Sequence, residues 1–260
     1  MAGRKHKGIE PVIFSRFRRH VAEHDWFAVG VDFLVVVVGI FAAMQADNWN
    51  QERKDRTQAR EYLQRLYEDA DRSVHTNEYQ RQYLLSHAEL AGEVLEALDQ
   101  CEVAPEGRDR FATGIYQLGK LFPPYMAAGT IEELRSTGKL GILDSHIRGE
   151  LDRAIERYRE FDRIWPQAAE RVTPHVNYVD SRIAVHIDRE MRGNNEITWK
   201  QLQIDLGAVC KDPLFYNAIA AVRNYTFDVA AWLKSTREGF EELRSVLKQK
   251  IEEKDLPVTG

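Results

Sequence analysis

The sequence predicts an all-α protein in which an N-terminal transmembrane helix precedes an elongated extramembrane helical bundle. One run of twenty residues is almost free of charge, and the chain after it repeats apolar residues at helical spacing. No stretch of useful length alternates apolar and polar residues as a half-buried strand does. The predicted domains are a basic amphipathic cytoplasmic tail over 1–26, a transmembrane helix over 27–46 and a helical extramembrane domain over 47–260.

The transmembrane prediction depends on the run 27–46, in which Asp32 is the only charged residue. Twenty helical residues rise about 30 Å, which is the thickness of a bilayer's hydrocarbon core. Trp26 and Trp49 flank the run, where indole rings favour the membrane interface. Because no pair of small residues stands at a cleavable spacing, we expect an uncleaved anchor. A buried core helix or strand is the alternative.

The charge pattern predicts the orientation of this anchor. The net charge is +3 over residues 1–26, −1 over 27–46 and −7 over the remainder, for a total of −5. A short basic tail favours the cytoplasm, whereas a long following domain is exported largely regardless of its charge. We therefore expect a cytoplasmic N-terminus and an exported body. The tail is predicted to lie on the inner leaflet as an amphipathic helix or to be unstructured, and the acidic total indicates no nucleic-acid partner.

Within the extramembrane domain, apolar stripes and helix-terminating residues predict the helices. The stretch 50–99 carries two apolar stripes separated by a polar interval at 73–77, so it is either one helix or two. Pro166 is expected to bend or break the chain between two of the later helices. These later helices are predicted over residues 109–122, 128–137, 144–164, 167–191 and 213–254.

Two passages resemble a known family. Gln45, Asn48, Trp49, Asn50 and Arg53 form a Gln-x-x-Asn-Trp-Asn-x-x-Arg-type boundary directly after the apolar run. A second passage matches at Thr130, Glu133, Leu134, Ser136, Gly138, Leu140, Leu151 and Tyr158. Both passages are similar to bacterial single-span membrane proteins that are grouped only as a domain of unknown function. The resemblance implies a bacterial inner membrane and a helical extramembrane domain, and it implies no activity.

A narrow stripe of small and polar residues follows one face of the predicted transmembrane helix. At about 100° per residue, its members fall within about 60° of one another. Small residues let two helices approach closely, and an acidic side chain prefers protein to lipid. The stripe predicts packing against a second copy or another membrane protein, whereas the alternative is an ordinary lipid-facing surface. Its members are Asp32, Gly39, Ala43, Ala46 and Asn50.

Sequence signatures of catalysis are missing. The chain has no glycine-rich phosphate loop, no His-Glu-x-x-His, no Cys-x-x-Cys and no Gly-x-Ser-x-Gly. We therefore predict no enzyme, no catalytic or metal-binding residue and no cofactor. The leading hypothesis is a non-catalytic interaction or scaffold protein whose partners are the lipid bilayer and a second copy or another membrane protein. An exported sensor that binds a small ligand is the alternative, and an enzyme without a recognisable motif is the third hypothesis.

Cys101 and Cys210 are the two cysteines of the chain. If 50–99 is one helix and 213–254 returns alongside it, both sulfurs lie at the same end of the bundle, far from the membrane. An exported compartment would permit them to form a disulfide. The alternative is two separate thiols, each packed as a small apolar side chain.

Overall fold

A computed structural model describes residues 26–186 and 196–255, and these residues are almost entirely helical. The all-α prediction is confirmed, because a long apolar helix comes first and further helices follow it. All of the predicted tail except Trp26 lies outside the described residues. The chain divides into two units between Gln58 and Ala59.

Six α-helices and one short hairpin are present in the described residues. The α-helices are α1 (Trp26–Gln100), α2 (Arg108–Tyr116), α3 (Gly129–Ser136), α4 (Ser145–Asp180), α5 (Leu206–Val209) and α6 (Pro213–Asp255). The strands are β1 (Ile183–Val185) and β2 (Leu202–Ile204), and they pair antiparallel with Ile183 opposite Ile204. Short 3₁₀ turns lie at Pro105–Gly107, Lys139–Ile142 and Trp199–Gln201.

In the first unit, α1 presents its apolar side chains outward. Phe33 is 71% exposed and Phe41 is 64% exposed, and the other large apolar side chains of this stretch are comparably open. Within the described residues, α1 is the one helix that is long and apolar enough to cross a membrane. Such a surface is unfavourable in water and is satisfied by hydrocarbon or by other protein.

The second unit is held together by three apolar clusters. One cluster joins α1, α3, α4 and α6 and includes the buried Leu66 and Phe240. A second joins α1, α2, β2 and α6 around Ile115 and Phe215. The third, smaller cluster joins α1 to α6 at Leu84. Burying one Leu or Phe side chain contributes about 1.5–3 kcal/mol, so these clusters set how the helices pack.

The polar interval of α1 does not interrupt the helix, which settles the choice between one helix and two. Ser73 and Asn77 are both fully buried. The Ser73 hydroxyl donates to the Asp69 carbonyl at 2.8 Å, and the Asn77 amide donates to the Ser73 carbonyl at 2.7 Å. The interval is polar because it faces a polar partner inside the unit.

The helix predicted over 109–122 is wrong beyond Tyr116, where α2 ends. Gly119 has a φ of 79°, a left-handed value that favours glycine. A Cβ at this position would lie 2.3 Å from Val176 Cγ2. Pro123 and Pro124 follow and lack the N–H groups that a helix needs, so the chain runs without a helix until α3.

Of the bend or break predicted at Pro166, the break is wrong. Helix α4 continues through Pro166 and Pro174 and ends at Asp180, short of the predicted residue 191. Each proline removes one backbone hydrogen bond from the helix. Ala168 and Val172 nevertheless remain buried beyond the first proline, so packing maintains the helix. Residues 187–191 of the prediction lie outside the described residues.

The hairpin of β1 and β2 was not predicted. Each strand has three residues, which is too few for an alternating pattern to stand out from its surroundings. Val185 pairs with Leu202, and the buried Leu202 belongs to the second apolar cluster. The hairpin therefore extends that cluster without changing the all-α class.

Candidate functional site

The five members of the predicted stripe all lie on the exposed surface of α1 in the first unit. Apart from the adjacent backbone of α1 itself, no atom lies within 4 Å of the position that a Cβ on Gly39 would occupy. The face is therefore open to lipid or to another helix. Its use for packing remains a prediction.

The boundary motif overlaps the C-terminal end of the stripe on α1 and shares Asn50 with it, and its five residues are also exposed. The Arg53 guanidinium lies 6.0 Å from the centre of the Trp49 ring, at the limit of a cation–π contact. Thr57 donates its hydroxyl to the Arg53 carbonyl at 3.0 Å. These contacts are local to one helix face, and they form no cavity.

The second resemblance passage contributes to the packing of α3 and α4 against α1. Leu134 and Leu151 are buried in the first apolar cluster. Glu133 accepts a hydrogen bond from the Tyr62 hydroxyl at 2.9 Å and pairs with Arg65. The hydrogen bond from Arg65 is the main cause that holds the pKa of Glu133 below its ordinary value, and the bond from Tyr62 adds to it. The passage thus stabilises the contact between α1 and α3.

Three polar side chains of α1 bind the main chain of the segment that leads into α3. The Asn77 amide donates to the Tyr125 carbonyl at 2.8 Å and accepts from the Tyr125 N–H at 3.0 Å. One turn earlier, Ser73 accepts from the main-chain N–H of residue 127 at 3.0 Å. Asp69 accepts from the Thr130 N–H at 3.0 Å and so caps the N-terminus of α3.

The structure brings Cys101 and Cys210 together as a disulfide with their Cα atoms 5.5 Å apart. Cys101 follows the last residue of α1 in the left-handed conformation, with a φ of 51°. Its N–H donates to the Leu98 carbonyl at 3.2 Å, and the next N–H donates to the Ala97 carbonyl at 3.1 Å. This is the C-terminal arrangement that usually carries glycine.

A capping network surrounds the start of α6, close in sequence to Cys210. Asp212 accepts from the Leu214 N–H at 3.0 Å, which satisfies a free donor of the helix N-terminus. The Tyr178 hydroxyl donates to the same carboxylate at 2.6 Å, and Arg182 lies 3.4 Å from it. The Tyr178 hydrogen bond is the main cause that lowers the pKa of Asp212. This network stabilises the fold and opens onto no described cavity.

A polar cleft of about 630 Å³ lies between residues 83–90 of α1 and residues 110–117, which belong to α2 and the position directly after it. A second cavity of about 440 Å³ shares Leu90, Arg110, Thr113 and Glu196 with it and continues towards Thr198. Most of the lining side chains can form hydrogen bonds. The lining of the first cavity is Tyr83, Ser86, His87, Glu89, Leu90, Arg110, Thr113, Gln117 and Glu196.

His87 is one of three buried polar residues that line this cleft, with Thr113 and Gln117, and only 9% of it is exposed. Burial, together with the charge of Lys120, lowers the pKa of His87 to about 4. A side-chain hydrogen bond with Gln117 partly opposes this lowering. The imidazole is therefore neutral at pH 7. Its Nδ1 atom is buried without a hydrogen-bond partner among the described residues. The Tyr83 ring packs edge-on against the imidazole, with 3.7 Å between the centroids.

The charged groups of the cleft are mostly acidic. Arg110 is engaged by Glu93, with 2.8 Å between Nε and Oε2, and this pairing lowers the pKa of Glu93. Glu89 and Glu196 are exposed at the rim. The Thr113 hydroxyl donates to the Ile197 carbonyl at 3.0 Å and is therefore committed to the fold. Beside the paired arginine, the charges at the cleft are the two rim glutamates and that of Lys120, which acts on His87.

Among the described residues, no group of three or more His, Cys, Asp or Glu side chains could hold a metal ion. Sequence reasoning missed the cleft because its walls come from three separate segments and form no motif. The one signal in the sequence was His87 within the apolar stripe of α1, next to Ala88.

Comparisons with protein families, with curated proteins and with solved structures find no match to the chain. The functional conclusion therefore depends on the geometry of the exposed apolar helix, the disulfide and the cleft.

Proposed function

We propose that this chain is a membrane-anchored, non-catalytic helical protein of the bacterial inner membrane that works by binding other molecules. The observation that carries the proposal is the exposed apolar surface of α1, from Val31 to Met44, on a chain whose second unit is a packed helical domain. In this proposal the bilayer covers that surface. The resemblance of the boundary motif to single-span bacterial proteins supports the same assignment.

In the proposed orientation the N-terminus is cytoplasmic and the helical domain is periplasmic. The disulfide between Cys101 and Cys210 supports this orientation, because disulfides persist in oxidising compartments and are rare in the cytoplasm. A reporter enzyme that is active only outside the cytoplasm, fused after residue 260, should be active. Activity only of a cytoplasmic reporter at the same position would reverse the orientation.

Fractionation tests the anchor itself. The chain should stay with membranes through carbonate and high salt and should require detergent for release. Val36→Lys combined with Val38→Lys adds about 2.5–3.5 kcal/mol of insertion cost per lysine and should release the chain from membranes. Exchange of the exposed Lys54 for Arg is the charge-neutral control. Recovery of the unaltered chain in the soluble fraction would overturn the proposal.

The proposed partner of the anchor is a second copy or another membrane protein, held through the stripe of small residues. Gly39→Ile should weaken self-association or partner recovery while leaving insertion intact, because the added side chain prevents close approach. Gly30 lies about 160° from Asp32 around the helix, so Gly30→Ile is the matched control. If the two variants assemble equally well, the stripe is ordinary lipid-facing surface.

A second candidate function is an exported sensor for a small ligand, and the cleft beside His87 favours it. The cleft has the volume of a small-molecule site and contains a buried polar side chain with an unpartnered nitrogen. Binding of any small molecule at this cleft, with loss of binding in a cleft variant, would support this candidate.

A further inference from the structure

We propose that the cleft between α1 and α2 binds a small organic cation, namely a protonated amine with N–H donors. This proposal rests on the second candidate function and adds the chemical class of the ligand. The first observation is the charge of the lining residues. Glu89 and Glu196 are exposed at the rim, while Arg110 is paired with Glu93. An anionic ligand would meet two carboxylates without a free arginine, whereas a cation is attracted by both.

The buried end of the cleft favours a hydrogen-bond donor. His87 is neutral at pH 7, so it does not repel a cation, and its Nδ1 lacks a partner among the described residues. Buried polar atoms without partners are uncommon in folded proteins, and a bound donor would complete this one. The His87 ring lines the cavity, and the Tyr83 side chain packs on it.

Tyr83 adds a third contribution, because its ring lines the same cavity. The face of a tyrosine ring attracts cations within about 6 Å of its centre. The cavity volume of about 630 Å³ accommodates a molecule of a few to about twenty heavy atoms. Carboxylates at the rim, an aromatic wall and a neutral acceptor at the base together match an amine better than a sugar or a carboxylic acid.

The test uses the full-length chain in detergent and calorimetric titration with putrescine and spermidine. Tetramethylammonium is the cation without N–H donors, and glutarate is the acid of similar size. We expect saturable binding of the two amines at one site per chain, weaker binding of tetramethylammonium and none of glutarate. Glu89→Gln with Glu196→Gln should weaken amine binding at least tenfold. Glu96→Gln, at an exposed acid of α1 outside the cleft, is the matched control.

The outcomes separate this proposal from the functions on which it rests. Amine binding that the double variant leaves unchanged is non-specific attraction to an acidic domain and overturns the proposal. Saturable binding of glutarate but of neither amine also overturns it, while a small-ligand sensor remains supported. Absence of binding by every probe overturns the cation site and leaves the membrane-anchored function to the fractionation experiment.

Discussion

The side-chain amide of Asn77 pairs with both main-chain polar groups of Tyr125, donating to the carbonyl at 2.8 Å and accepting from the N–H at 3.0 Å. A strand neighbour would make the same two bonds, but here a helix side chain makes them. Asn77 is fully buried and Tyr125 is half-buried, so the pairing satisfies polar groups inside the packed unit. The amide therefore determines where the segment after α2 lies on α1.

The first prediction follows from this pairing. Asn77→Ala should lower the free energy of unfolding by about 2–4 kcal/mol, because it leaves buried main-chain groups without partners. The exposed Asn224→Ala in α6 is the control and should change it by less than about 0.5 kcal/mol. Denaturant unfolding of the detergent-solubilised chain measures both. Equal midpoints for the two variants would show that the pairing contributes nothing.

A second prediction concerns two glycines with opposite roles. Gly119→Ala should destabilise the protein by about 2 kcal/mol or more, because its Cβ would collide with Val176 at a left-handed backbone position. Gly149→Ala should stabilise it by about 0.5–1 kcal/mol, because this residue is inside α4 and has open space around it. Thermal unfolding of both variants is the measurement, and the same sign for both would contradict the assignment.

The third prediction separates the disulfide from the backbone strain at Cys101. Reduction should lower the free energy of unfolding by about 4–5 kcal/mol in the chain-entropy model, since the bridge spans 109 residues. Under reductant, Cys101→Gly should be about 1 kcal/mol more stable than Cys101→Ser, because glycine accepts the left-handed φ. At Cys210, where φ is −73°, the same pair of substitutions should show no such glycine advantage.

The fourth prediction is a pH dependence that originates at His87. Its pKa of about 4 in the folded state lies below the ordinary value of 6.5, so between these values the unfolded state binds the proton more readily. Stability should therefore fall as the pH is lowered from about 6.5 to about 4, with a loss on the order of 3 kcal/mol. Burial raises the pKa of Asp180, which has the opposite effect on stability.

The variant His87→Gln isolates this contribution. It keeps a polar side chain in the cleft but cannot take up the proton, so the stability difference from the unaltered chain should shrink as the pH falls. The exposed His186→Gln is the control, and its stability difference from the unaltered chain should not shrink in this way. A difference that stays constant from pH 7 to pH 4 would contradict a buried neutral histidine.

Periodicity predicted α1 well beyond residue 58, where its apolar stripes are buried, and helix-start residues predicted α6. Leu66 and Leu84 of α1 lie in the predicted stripes and are buried. Helix α6 begins at Pro213, where Asp212 and Pro213 predicted its start. Local rules failed where tertiary contacts outweigh them. Pro166 predicts a bend or break, but Ala168 and Val172 after it are buried, and α4 continues.

The candidate site was harder to predict than the fold. Helix lengths made the pairing of Cys101 with Cys210 one of two alternatives, since two antiparallel helices would place both sulfurs at the same end, and the structure contains the disulfide. The cleft could not be predicted in this way, because His87, Arg110 and Glu196 are distant in sequence and become neighbours through the packing of α2. The role of Asn77 was hidden for the same reason, since its partner is a main-chain group that has no residue signature.

The bridge between Cys101 and Cys210 also changes the connectivity of the molecule. It joins the residue after α1 directly to the turn before α6, and α2 to α5 all belong to the loop that it closes. A protease that cuts this loop once would therefore leave a single covalent molecule. Electrophoresis should show one band of unchanged mass without reductant and two fragments with it, and the two longest helices should remain tethered after the cut.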